Sequence, residues 1–341
     1  MDDLFFKLCG APGVSGHEEA IRGVILDEVR KYASCSVDRV GNVVAHKRGA
    51  RMPKSRIMIC AALDEPGFMI SDATDDGFLR FTKIGNVDMR SAVGSRVVFD
   101  GSERVGVIGT KAVHLQTRAE RASYPETGSL LIDIGARTRK GALSAAQPGD
   151  TAVFESEFSF FGGGLAAARA AGLRAGCLAL IRLLRGELKY DCDFVFTSRG
   201  AADHGGVKAA AFALAPDIVV SVGAAPADDT PFSVSPASCR LGGGPLVTLA
   251  DDSALYDPCL TGYALEEARR LALPVQPSHG GIASGAAGTV QARCGGLYAL
   301  NLSLPCRYSG SPTEVVSLKD IDFVTELLGA VIRRAGEIKP C

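Results

Sequence analysis

The chain has 341 residues, 47% of them hydrophobic, with 37 Lys plus Arg against 38 Asp plus Glu. That is enough for a large core and two domains, while the near-balanced charge, with no basic block, gives no nucleic-acid surface. No apolar run nears the ~20 residues of a membrane span. The N-terminus, MDDLFFKLCGAPG, is acidic at once and lacks a signal-peptide pattern, and the ten cysteines include no CxxC pair. Reduced thiols and a cytoplasmic location are therefore expected.

In chain order, Ser15 and Glu18 have capping-box spacing ahead of a helix over 20–33, with Ile21, Val24, Ile25 and Val29 on one face. CSVDRVGNVVAHKRG (35–49) reads as a hairpin turning near Gly41-Asn42. SRIMICAALDE (55–65) reads as a buried strand. From about 70 to 160 the texture changes to short strands punctuated by Gly and Asp: FLRFTKIG, SRVVFDG, GVIGT, SLLIDIGA and DTAVFES. This predicts a small inserted all-β domain. FFGGGLAAARAAG (160–172) reads as a Gly/Ala-rich return segment.

Beyond it the pattern alternates. Helices are expected at LRAGCLALIRLLRG (173–186), GGVKAAAFALA (205–215) and CLTGYALEEARRLAL (259–273), with extended segments at DCDFVFTS (191–198), DIVVSVGA (217–224), PVQPS (274–278) and the end of 289–305. Ser317 and Asp320 form a second capping-box pattern at the start of the last helix, 317–336. The expected architecture is a phosphorylase/peptidase-like α/β domain, residues 1–69 and 161–341, with helices on both faces of a mixed sheet, and an inserted β domain, residues 70–160.

Functional groups of open α/β sheets lie beyond the carboxyl ends of strands. Four such exits stand out: AALDEPG, TSRGAADHGG, VGAAPADDTP and LPCRYSGSP. They are rich in Gly, Ala and Ser, which suits a concave backbone site and not acid–base or metal chemistry. Asp64 and Glu65, at the end of an apolar run, are the exception.

Over nearly its whole length the chain resembles the M42 family of metallo-aminopeptidases. The stretches that carry this are LCGAPGVSGHEE, DRVGNVVA, DEPGFMI, DDGFLRFTKIG, GVIGT with His114-Leu115, LLIDIGA, RAGC (174–177), FVFT, DTP (229–231), LGGGP (241–245), and the RY and SP near 309. The resemblance implies the α/β domain with its insert, and self-association through that insert into large assemblies. It also implies two divalent metals, usually zinc or cobalt, with a Glu as general base.

Matched residue by residue, the resemblance places none of that machinery here. The ligand His falls on Ala62 and the bridging Asp on Gly172, followed by Leu173. The Glu-Glu pair, base then ligand, falls on Gly200 and Ala201. The next Asp falls on Gly223, the final His on Gly310, and a Thr-Asp pair on Ile282 and Ala283. Asp64 and Glu65 remain, Asp64 as a retained motif residue. Unmetallated buried carboxylates repel one another and are costly to desolvate, so Gly or Ala relieves that cost. No metal cofactor is expected, and restoring all six positions would recover metal binding.

Other readings compete with this one. His204 and His279, with Asp203, Asp228 and Asp229, would make a displaced metal site, but zinc wants three or four convergent ligands and these come from loops without ligand spacing. Cys306 and His279 would make a nucleophile pair; a bystander thiol is the plainer reading. His114 reads as structural. Glu65, Arg199, Arg307 and Ser309 are expected around the pocket, the arginines serving a peptide terminus or a small anionic ligand. The preferred reading is a non-catalytic binding or partner subunit. The alternative is an active metal-dependent aminopeptidase or hydrolase using a displaced or incomplete site.

Overall fold

Along Ile57–Ala62 the side chains of Ile57, Ile59 and Ala61 enter one core and those of Met58 and Cys60 another. A strand apolar on both sides belongs at the centre of a sheet covered on both faces. That is its place in the computed structural model, which describes residues 3–102, 104–231, 238–279, 285–292 and 295–337.

The chain starts with α1 (Asp3–Gly10) and α2 (Glu19–Val29), then the hairpin β1 (Ser34–Val37) and β2 (Val43–Lys47), then β3 (Ile57–Ala62). Next come β4 (Gly67–Ala73), β5 (Leu79–Ile84), α3 (Met89–Ala92), β6 (Arg96–Phe99), β7 (Val105–Gly109), α4 (Arg118–Ala122), β8 (Leu131–Asp133), α5 (Arg139–Ala145) and β9 (Thr151–Phe154). The return passes through β10 (Ser159–Phe161), β11 (Leu165–Ala168), α6 (Ala171–Arg185), β12 (Cys192–Thr197), α7 (Gly205–Leu214) and β13 (Ile218–Pro226). It finishes with β14 (Leu246–Ala250), α8 (Pro258–Arg270), β15 (Gln276–His279), β16 (Tyr298–Arg307), β17 (Glu314–Ser317) and α9 (Leu318–Ala335).

Among the described residues the main sheet has eleven strands, in the order β1-β2-β12-β3-β13-β16-β17-β11-β10, with β14 and β15 added beside β16. β12, β3, β13 and β16 are parallel neighbours; β2 and β17 flank them antiparallel. One face packs under α1, α2, α6, α8 and α9, and the other under α7. β4 to β9 close a separate antiparallel barrel, filled by Phe68 standing edge-on to Phe81 and Phe154 at 5.2 and 5.0 Å. No helix among the described residues is long and apolar enough to cross a membrane.

The α/β fold with its small β-barrel is the expected one, and three local features differ. The return segment 160–172 holds two strands, β10 and β11, and β14 and β17 join the sheet as well. Runs such as LAAA have low strand propensity, and pairing of β11 with β17 overrides it. Neither capping box forms. Ser15 gives its hydroxyl to Asp64 at 2.5 Å, and Glu18 accepts from the backbone N–H of Gly16 and Arg199. Asp320 accepts from the N–H of Gly242 and Gly244, at 2.8 and 2.9 Å. Partners outside the helix terminus win in each case: a carboxylate for the Ser15 hydroxyl, and loop amides for Glu18 and Asp320.

Candidate functional site

β3 ends at Ala62, and two residues on lies Asp64, with no exposed surface. β12, its parallel neighbour, leaves the sheet through a turn in which Arg199 adopts a left-handed φ of 55°. That turn aims two consecutive N–H groups, of Gly200 and Ala201, at the Asp64 carboxylate, each at 2.8 Å. With Ser15 this makes three donors. Burial nevertheless pushes the Asp64 carboxyl above its ordinary range, the donors opposing.

A second carboxylate does the same across the site. Glu314, at the start of β17, is buried and accepts the N–H of Gly310 at 2.9 Å and that of Gly172 at 3.0 Å, with the Cys306 thiol 3.6 Å away. Desolvation raises its pKa too. Thus Asp64 anchors the backbone at 200 and 201, and Glu314 anchors it at 172 and 310. These are four of the positions where the M42 resemblance puts ligands or base.

The space at these positions decides what they can carry. A Cβ on Gly172 would lie 2.7 Å from the Ala224 Cβ and 3.1 Å from the Cys306 sulfur. On Gly200 it would lie 2.6 Å from the Ala62 Cβ and 2.9 Å from Asp64 Oδ1. Gly310 has φ +78° and its Cβ would sit 2.4 Å from the Asn86 carbonyl oxygen. Gly223 alone of the four is open, with Ser303 Oγ at 3.9 Å. The residues present do not fit a dinuclear metal: the matched positions offer no side-chain donor atom, and at three of them there is no room for one. Simple restoration of the six is thereby blocked by packing. Ile282 and Ala283 lie outside the described residues.

The cavity here has a volume of about 360 Å³. Ala62, Gly200, Ala201, Gly223 and Ser309 line it, as do Leu173, Val222 and Ala224, the last two packed against the main core. Its floor is Ser221, Asn301 and Ser303, alternate residues of β13 and β16 on the face opposite the main core. Ser221 donates to Asn301 Oδ1 at 2.7 Å, and Asn301 donates to Thr248 and Ser303 at 3.0 and 3.1 Å. Glu314 and His204 also reach the wall. His204 has a left-handed φ of 55°, and burial lowers its pKa, with Lys208 adding to the effect and Asp203 and Asp251 opposing it.

Three of the expected pocket residues lie elsewhere. Glu65 is fully buried and accepts from Arg169 Nε at 2.6 Å and an Arg174 η-nitrogen at 2.9 Å. Arg169 also reaches the carbonyls of Phe154 in the barrel and Cys9 in α1. Glu65 is thus a structural hub between barrel, sheet and N-terminal helix. Arg307 is held bidentate by Asp229, at 2.6 and 2.7 Å. Arg199 is half exposed beside Asp203, at 3.7 Å. Neither arginine lines the cavity.

The displaced-site candidates do not assemble either. Asp228 accepts from Ser238 and the Cys239 N–H, and Asp203 from the Gly205 N–H. Among the described residues no three His, Cys, Asp or Glu side chains converge on a common point. Cys306 is fully buried, and desolvation raises its thiol pKa, the opposite of what a nucleophile needs. His114 is exposed in a one-turn helix, Val113–Leu115.

Glu314, Ser221, Asn301 and Ser303 were not anticipated. The available signal was the alternation of Asn301 and Ser303 in ALNLSLP, with the lone Ser221 in VVSVGA, because alternation marks one face of a strand.

The profile of the M42 glutamyl aminopeptidase family matches residues 41–327. An aminopeptidase-type protein of Acetivibrio thermocellus is 34% identical over 331 residues, covering 96% of this chain and 97% of the relative. A solved aminopeptidase of the archaeon Desulfurococcus kamchatkensis superposes with a TM-score of 0.91 at 30% identity, over 98% of this chain and 94% of that one. The TET1 peptidase of Pyrococcus horikoshii, described as assembling into a tetrahedron or a large octahedral shell, superposes at 0.85 and 30% identity, over 97% and 98%.

Proposed function

The chain belongs to the M42 glutamyl aminopeptidase family, and from that premise we propose that it is a non-catalytic member, serving as a binding protein or as a partner subunit of an active relative. The observation that carries this is the pair of carboxylate anchors. Where the resemblance puts base and ligands, the backbone amides of Gly200, Ala201, Gly172 and Gly310 are satisfied by Asp64 and Glu314. A working site would need side-chain oxygens and nitrogens at those positions to hold cations and take a proton from water. His204 and Glu314 are the titratable groups on the cavity wall, and burial shifts both away from charge.

Self-association belongs to the same reading. The barrel exposes Val107, Val113, Leu115 and Tyr124, apolar surface of the kind that marks contacts between proteins. The assembly described for the P. horikoshii TET1 peptidase supports oligomers built from this fold.

The test is elemental analysis beside peptidase assays on the purified protein. Dialysis against zinc, cobalt or manganese should leave well under one ion per chain, and aminoacyl-nitroanilides and short peptides should stay uncleaved. Metal-dependent turnover abolished by a chelator would overturn the assignment.

A further inference from the structure

We infer that the cavity takes a small uncharged molecule that both donates and accepts hydrogen bonds, an amide or hydroxyl compound, and rejects anions. This rests on the metal-free reading of the same site.

Among the described residues that line the cavity there is no Lys or Arg. Arg307 is committed to Asp229 by two bonds, and Arg199 faces Asp203 outside. The acid on the wall, Glu314, has its oxygens engaged by the N–H groups of Gly310 and Gly172. An anion entering would be desolvated beside a carboxyl with no cation to offset it. A cation would have to shed its water beside a carboxyl whose burial already disfavours the charged form, with no second acid on the described wall to help.

The floor, in contrast, is built for hydrogen bonding. Ser221, Asn301 and Ser303 are each no more than 3% exposed. Ser221 and Asn301 hold one another and Thr248, while Ser303 Oγ accepts from Asn301 and still has its own proton to give. Directly above Ser303, Gly223 leaves open space. Leu173 adds an apolar side chain to the lining, while Val222 and Ala224 border the cavity but pack against the main core. A volume of about 360 Å³ is at the small end of ligand sites.

Three probes of equal heavy-atom count separate the charge states: N-acetyl-leucinamide (neutral), N-acetyl-leucine (anionic) and leucine isopropylamide (cationic), each titrated at up to millimolar concentration and followed by ligand-observed NMR. The neutral compound should bind at least about tenfold tighter than either charged one, a free-energy gap of about 1.4 kcal/mol. Gly223→Leu, which fills the space above Ser303, should weaken it at least tenfold, and Ser303→Ala should weaken it without altering the fold. Equal or tighter binding of the anion or the cation, binding indifferent to both variants, or no binding of any probe would overturn the inference. Elemental analysis of the same sample keeps the outcomes apart: metal-free protein without neutral preference defeats the ligand class alone, whereas bound metal defeats the non-catalytic reading.

Discussion

The Glu314 carboxylate accepts the N–H of Gly172 at 3.0 Å while its other oxygen takes that of Gly310 at 2.9 Å. One side chain thereby ties the start of α6 to the loop after β16, and both tied residues are glycines with no space above them. The sixfold variant Ala62→His, Gly172→Asp, Gly200→Glu, Ala201→Glu, Gly223→Asp, Gly310→His should therefore gain no stoichiometric zinc or cobalt and should melt below the parent. Gly172→Asp alone should cost about 1–3 kcal/mol from overpacking against Ala224 and Cys306, plus repulsion from Glu314. Calorimetric titration with metal and thermal denaturation check both. Two ions bound per chain would show that the packing gives way.

Glu65 is the counter-charge for two buried guanidinium groups. Glu65→Ala strands Arg169 and Arg174 without it, and loss of one partner from such a cluster costs about 3–5 kcal/mol. Urea denaturation should show a loss of that size. A change under about 1 kcal/mol would mean that Glu65 is dispensable to the fold.

His204 makes stability depend on pH. Its folded pKa lies below the ordinary value of 6.5 because burial disfavours the cation. Below that value the unfolded chain takes up a proton that the folded one resists, so the unfolded state binds more protons and stability falls as pH drops. The contribution is whole above 6.5 and is lost as pH falls toward the lowered folded value. Between about pH 5 and pH 8 His204 should pull the melting temperature down on the acid side, against the opposite pull of the raised Asp64 and Glu314 carboxyls. The His204 pull should be lost in His204→Asn, a residue that tolerates the left-handed backbone there. An unchanged slope would assign the effect to another group.

The barrel surface predicts assembly. Light scattering at micromolar concentration should give at least twice the 35.5 kDa chain mass. Replacing exposed Val113 and Leu115 by Asp should shift the distribution toward monomer with little effect on melting temperature. A parent protein that is already monomeric would contradict this.

The sequence made the two-faced sheet legible because its central strands are apolar at consecutive positions, as in IMICAA, and the barrel legible because its strands are short and closely punctuated. β11 was hidden because its alanines carry no strand signal and its pairing with β17 is long-range, and β10, Ser159–Phe161, because three residues are too short a run to show a period. The cavity wall was half legible. Ala62, Gly200, Ala201, Gly223 and Ser309 line it, but neither arginine does: Arg199 stands half exposed beside Asp203, and Arg307 is held by Asp229, far back along the chain. Spacing says nothing about such partners. The capping boxes failed for the same reason: the Ser15 hydroxyl donates to Asp64, and Asp320 accepts from the distant amides of Gly242 and Gly244.

The two carboxylate anchors bear on recognition as well as on chemistry. Asp64 and Glu314 draw their donors entirely from within the chain, so the loops after β12 and β16 and the start of α6 are held before any ligand arrives. The ordering entropy of the pocket is then met during folding and not at encounter, which is the physical content of preorganisation. A guest of modest size loses little affinity to rearranging its host, and bound and free forms of the protein share one backbone.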